Sequence, residues 1–155
     1  MIEDKVFRKI AVIFVTDVVN FSTLMETNEE LTLKNLKACR EILDNLFKEH
    51  SGRIFNTAGD SVLAEFHSAV SSVICASEFQ KLISQRNDSV PPSDQLTFRI
   101  GINMGDVVVE GTNLYGEGVN VAARLEALCK PGGVCLSNNV HDFVKQKVEL
   151  SFSDL

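Results

Sequence analysis

Apolar residues run almost unbroken over Ile10-Ala11-Val12-Ile13-Phe14-Val15 and stop at Thr16-Asp17. A short β-branched run of this kind predicts a strand over 9–16 that is buried on both faces. The spacing then changes. Thr27, with Glu30 three positions on, reads as a capping box opening a long helix, with Leu36, Cys39, Leu43, Leu46 and Phe47 as its apolar stripe. Gly52 ends that helix. Two strands follow at about 53–58 and 61–66, and Gly59-Asp60 between them has the spacing of a tight hairpin. Ser68 caps a second helix that runs to about Gln85, with Val70, Val73, Ile74 and Leu82 facing inward.

Asn87 to Ser93, with Pro91-Pro92, is the clearest loop. Residues 96–103 and 106–110 read as another hairpin turning at Met104-Gly105. Glycines 111, 116 and 118 lead into a helix from about Val119 to Cys129, which Pro131-Gly132-Gly133 ends. A short strand (134–136) and a short helix (138–145) follow. The tail from Lys147 to Leu155 alternates weakly, as a strand without a partner would. The order β-α-β-β-α-β predicts an α+β, ferredoxin-like core: an antiparallel sheet with helices packed on it and further elements appended at the C-terminal end. In that topology the first strand lies beside the second-third hairpin. No repeat or linker divides the chain, so 1–155 reads as a single domain.

Composition narrows the function. A net charge of -6, with no basic run, disfavours non-specific nucleic-acid binding, which relies on Lys and Arg to neutralise phosphates. No apolar stretch approaches the ~18 residues a membrane span needs, and charges among the first nine residues leave no room for a signal peptide. The expectation is a cytoplasmic protein, or the cytoplasmic domain of a larger one, with no direct membrane insertion. Cys39, Cys75, Cys129 and Cys135 show no C-x-x-C spacing and read as reduced thiols, not zinc ligands or disulfides. His50, His67 and His141 sit at element ends and read as caps or surface residues.

The chemistry is carried by two carboxylates. Asp17 ends the first strand and Asp60 sits in Asn56-Thr57-Ala58-Gly59-Asp60-Ser61. Brought together by strand pairing they repel unless a cation such as Mg²⁺ lies between them. Proteins hold Mg²⁺ against nucleotide phosphates in this way, so phosphoryl chemistry is the leading expectation. Each residue alone has a plainer reading: Asp60 as a turn residue, Arg99 as a surface partner for Asp106 or Glu110, Asn120 and Arg124 as an exposed helical face.

Four segments in order change that balance. They are Val15-Thr16-Asp17-Val18-Val19-Asn20-Phe21, Asn56-Thr57-Ala58-Gly59-Asp60, Phe98-Arg99-Ile100-Gly101-Ile102-Asn103-Met104-Gly105, and Leu114 through Arg124. Together they resemble the class III nucleotidyl cyclases, most nearly the bacterial adenylate cyclases, from about residue 9 to the C-terminus. The resemblance implies that Asp17 and Asp60, with the Val18 carbonyl, bind two Mg²⁺ or Mn²⁺ ions per site. It implies that Arg99, and the amides after Asp17 as far as Phe21, face the triphosphate. Asn120 and Arg124, one helical turn apart, are then the transition-state pair, orienting the ribose and neutralising charge at phosphorus. The implied reaction is in-line attack of the ribose 3′-hydroxyl of ATP on the α-phosphorus, giving cyclic AMP and pyrophosphate. The implied assembly is a homodimer whose two symmetric sites each take the aspartates from one subunit and Asn120 and Arg124 from the other.

Base choice departs from the family pattern. Asn56 stands where adenylate cyclases carry Lys and guanylate cyclases Glu, and Asn113 where they carry Asp or Thr, and Cys. An amide both donates and accepts, and without a carboxylate acceptor guanine is the poorer fit, so adenine is favoured over guanine. The alternatives are a guanylate cyclase, or a nucleotide-binding, dimerising regulatory domain that turns over poorly. The sequence also stops at Ser151-Phe152-Ser153-Asp154-Leu155, before the hairpin from which cyclases supply a phosphate-binding lysine.

Overall fold

In the computed structural model, which describes residues 6–154, the apolar run extends into a 13-residue strand, β1 (Val6–Val18). It lies at the centre of a mainly antiparallel sheet in the order β2-β3-β1-β4-β5, with β2 (Arg53–Ala58), β3 (Ser61–Phe66), β4 (Phe98–Glu110) and β5 (Asn113–Tyr115). A short β6 (Val134–Leu136) adds parallel to β4. The helices are α1 (Phe21–Thr27), α2 (Glu29–His50), α3 (Ala69–Ser89), α4 (Glu117–Leu128) and α5 (Asn138–Val144), with a 3-10 turn at Pro92–Asp94. The core is thus βαββαβ, as the element order predicted.

Strand alternation divides β1 between two cores. Val12, Phe14 and Val18 pack with α2 and α3, where the rings of Phe14, Phe47 and Phe66 stand 5.3 to 5.7 Å apart. Each buried ring contributes roughly 1.5–3 kcal/mol relative to exposure. Ala11, Ile13 and Val15 face the other way, against Val107, Val109 and the α4 residues Val119 and Ala122. The appended helix α4 therefore covers the sheet face that the ferredoxin-like helices leave open.

Helix α4 lies unusually close to β4 because Gly101 has no side chain. A Cβ there would stand 2.3 Å from the Glu126 amide nitrogen and 2.4 Å from the Ala122 carbonyl oxygen. Neither backbone atom can yield without moving the helix, so Gly101→Ala is expected to cost about 3 kcal/mol or more. Chemical denaturation measures this, and a loss below 1 kcal/mol would show that α4 can slide.

Several sequence expectations need correction. There is no hairpin at Met104-Gly105: β4 runs straight through, with Gly105 opposite Ala11, and the chain turns at Gly111-Thr112 instead. The cap of α2 is Asn28, whose side chain accepts from the Leu31 amide; Thr27 ends the separate helix α1 and bonds back to Thr23. In α3 Val73 is buried, but Val70 and Ile74 are only half-buried and Leu82 is exposed; Cys75, Ala76, Phe79 and Ile83 fill the core with it. The tail forms no strand over 149–154, and Phe152 rests its ring on His141 at 4.8 Å. Ser68 caps α3 as expected, accepting from the Ser71 amide, and all four cysteines are buried free thiols.

Candidate active site

The C-terminal end of β1 collects the charged residues. The β2–β3 hairpin turns through Gly59, in the left-handed region at φ +59, and carries the Asp60 carboxylate back to β1, where Oδ2 accepts the Val18 amide at 2.8 Å. Asp17 points to the α4 face beside Arg99, its partner across β1 and β4. The Arg99 guanidinium lies 3.6 Å from Asp17 Oδ1 through Nη2 and 3.5 Å from Glu126 Oε1 through Nε. Both separations exceed a good hydrogen bond. Asp17 Oδ1, Arg99 Nε and Glu126 Oε1 are consequently all buried without a hydrogen-bond partner. Such orphaned groups cost about 1–3 kcal/mol each, so three of them in one cluster mark a place built for something further.

Glu126 escaped the sequence reading. Burial first, and the adjoining Asp17 carboxylate second, push its carboxyl up to about 8, with Asp60 adding to this and Arg99 offsetting only part. Asp17 and Glu126 repel one another and are both acceptors when ionised, so a proton or a cation must enter before they can pair. A carboxyl near 8 when folded and near 4.5 when unfolded binds a proton on folding between those values. Its stabilisation is complete below about pH 4.5 and is lost as pH rises through about 8. In EDTA, Glu126→Gln is therefore expected to melt several degrees above the parent at pH 9, the gap closing toward pH 5. A gap that does not change with pH would show that the Glu126 charge is not what destabilises the fold.

The other sequence-derived residues are placed as follows. Val18 is buried in the strand, beside both aspartates. The two amides directly after Asp17 are already used, Val18 by Asp60 and Val19 by the Thr97 carbonyl at 2.8 Å, so the expected row of free amides begins only later. Asn20 sits at φ 59 before α1, and the first-turn amides from Phe21 onward lack partners within the helix; the Phe21 ring packs on the core. Arg99 partners neither Asp106, which pairs with Arg8, nor Glu110. Asn56 is exposed on β2, next to a bulge between Ile54 and Asn56. Asn113 is engaged within β5, donating to the Tyr115 hydroxyl and accepting the Leu114 amide, both at 2.9 Å.

Asn120 and Arg124 lie on the exposed side of α4. Arg124 precedes Glu126 by two positions, about 200° around the helix, so its guanidinium faces away from the Asp17–Arg99–Glu126 cluster. Its one ion pair among the described residues, to Glu117 at 3.3 Å, is between side chains 66% and 74% exposed and holds it weakly. Among the described residues no hydrogen bond or ion pair joins Asn56, Asn113, Asn120 or Arg124 to Asp17 or Asp60. A second polar group, Glu49, His50 and Glu78, lies at the open end of the β2–β3 hairpin, where His50 Nε2 meets Glu78 Oε2 at 3.1 Å and links α2 to α3.

The family follows from comparison with known proteins. The family model for the adenylate and guanylate cyclase catalytic domain matches residues 2–154, and the chain belongs to that family, the class III nucleotidyl cyclases. It is 41% identical over 155 residues to "Putative adenylate cyclase 3" of Rhizobium meliloti (strain 1021), covering 99% of this chain and 26% of that protein. The chain thus spans about a quarter of that relative's length. The adenylate/guanylate cyclase/hydrolase of Silicibacter pomeroyi superposes with a TM-score of 0.91 at 39% identity, over 97% of this chain and 88% of that one. The adenylyl cyclase CyaB of P. aeruginosa shares the fold at a TM-score of 0.80 and 22% identity, over 92% and 84% of the two chains. Among the described residues no helix is long and apolar enough to cross a membrane.

Proposed function

We propose that the chain is an adenylate cyclase catalytic domain that converts ATP to 3′,5′-cyclic AMP and pyrophosphate at sites shared across a homodimer. The observation that carries this reading is the meeting of Asp17 and Asp60 at the end of β1, with Asp17 Oδ1 buried and unpartnered. The donor set fits a hard divalent cation: two carboxylates, Asp60 keeping one oxygen free of the Val18 amide, and the Val18 carbonyl. Two Mg²⁺ or Mn²⁺ ions held there would supply Lewis-acid polarisation of the phosphate oxygens and acidify the attacking hydroxyl.

The remaining work falls to the chain itself. Arg99 takes the terminal phosphates, aided by the α1 amides from Phe21. Asn120 orients the ribose, and Arg124 meets the charge that develops on the α-phosphoryl group. The nucleophile and the phosphorus belong to one molecule, so most of the gain lies in holding the ribose in a near-attack pose. Because Asn120 and Arg124 face away from their own aspartates, a second copy of the chain is the natural recipient, and two-fold symmetry gives two such sites.

Asn56 and Asn113 read the base. Adenine is supported by the absence of a carboxylate acceptor for guanine and by the name of the R. meliloti relative. The engagement of Asn113 with Tyr115 and Leu114 favours a second reading, weak base discrimination with GTP also accepted. The test is to incubate the chain with ATP or GTP, each with Mg²⁺ or Mn²⁺, and quantify cyclic product and pyrophosphate. Cyclic AMP with little cyclic GMP is expected. Dominant cyclic GMP would overturn the base assignment, and nucleotide binding with no product from either would support a regulatory domain instead.

A further inference from the structure

We infer that Glu126 is a positioning residue for Arg99, holding its guanidinium in place for the phosphates once the Asp17 carboxylate is taken by a cation. The inference rests on the phosphate role proposed above for Arg99.

The geometry is that of one guanidinium between two carboxylates. Arg99 reaches Asp17 through Nη2 at 3.6 Å and Glu126 through Nε at 3.5 Å, and closes a hydrogen bond with neither. A cation on Asp17 competes for the oxygen that Arg99 faces. Without a second carboxylate the guanidinium would then have no buried partner, and a free Arg side chain samples many rotamers. Glu126 is only 6% exposed, and the flush packing of α4 on Gly101 fixes its backbone against β4. It can serve as a rigid anchor. It faces the guanidinium at Nε, so the Nη edge of the fork is left for a bidentate phosphate contact once Asp17 is taken. The plainer alternative is that Glu126 merely balances charge where α4 meets the sheet.

The two readings differ in sign. A group that only balances charge leaves phosphate binding unchanged or tighter when Gln replaces it. A carboxylate that positions Arg99 does the reverse. Pyrophosphate with Mg²⁺ is a suitable probe, because it presents the phosphates without the base and undergoes no cyclisation. Titration calorimetry is expected to show that Glu126→Gln weakens pyrophosphate binding about tenfold, as losing the partner of a site residue commonly does. The nucleotide KM should rise by a similar factor, with kcat changed less. In an Arg99→Ala background the same Gln substitution should leave pyrophosphate binding unchanged or tighter.

Equal weakening with and without Arg99 would overturn the inference, as would unchanged or tighter binding by Glu126→Gln alone. If the Gln chain fails to fold, Glu126→Asp, which retracts the carboxylate by one methylene, runs the same cycle with the same expected pattern. A parent chain that binds no pyrophosphate removes the proposed function and this inference together. A parent that binds it, with variants that behave like the parent, removes this inference alone.

Discussion

Asp17→Ala is expected to abolish the proposed nucleotide cyclisation and to leave the fold standing. On the reading proposed above, loss of the carboxylate removes a ligand of the cation, and the Lewis-acid contribution of several kcal/mol goes with it. At 1.36 kcal/mol per decade, about 4 kcal/mol corresponds to turnover reduced about 10³-fold. The fold is spared for a reason visible in the site. Asp17 Oδ1 makes no hydrogen bond, Asp17 is one of the groups that force the Glu126 carboxyl up, and Arg99 keeps Glu126 as a partner. Removing it relieves repulsion as well as losing an attraction. Circular dichroism and thermal unfolding in EDTA should therefore match or exceed the parent while cyclic nucleotide falls to background. A variant that cyclises at the parent rate would end the cation assignment for Asp17. One that unfolds would show that the carboxylate is structural.

Mixing two inactive chains is expected to restore activity. In the proposed shared site, Asp17→Ala lacks the carboxylate half and Arg124→Ala the helical half, so neither homodimer should work. In a mixed dimer one site receives both lesions and the other neither. With random exchange about half of the dimers are mixed and half of their sites intact, so about a quarter of the parent activity returns. The expectation follows from the placement of Arg124 on the side of α4 turned away from its own aspartates. Native mass spectrometry establishes that mixed dimers form, and a coupled pyrophosphate assay reads the recovery. Mixed dimers with no activity would place the complete site within one chain.

Much of this architecture was legible because the strongest signals were periodic. The Ile10–Val15 run, the α2 stripe and the Gly59-Asp60 turn each combine a pattern with a terminator, and the structure holds strands, helix and hairpin there. The false hairpin arose from reading Gly105 as punctuation. Gly105 is a packing residue within a strand: a Cβ there would meet Asn103 Nδ2 at 3.0 Å and the Gly118 Cα at 3.3 Å, where α4 crosses. A close approach and a turn both ask for glycine, and one sequence does not tell them apart. Helix α1, with seven residues, is too short to carry a period.

The two aspartates were visible as motif residues that strand pairing would bring together, but the approach of Arg99 to Asp17 was not legible. Glu126 had a signal that went unused. Val119, Ala122 and Glu126 stand at i, i+3 and i+7, so the glutamate lies on the apolar stripe of α4 and had to be buried. A charge on a buried stripe needs a partner, and β4 offers Arg99.

The central strand has a mechanical consequence. Thirteen residues of β1 pair in continuous register with β4, so it is a rod about 40 Å long with Val6 at one tip and Asp17 near the other. A hydrogen-bonded strand neither stretches nor slips by one residue without turning every side chain to the wrong face. A push or pull along the strand at Val6 is then not absorbed by slippage against β4, so the end that carries Asp17 shares in the displacement.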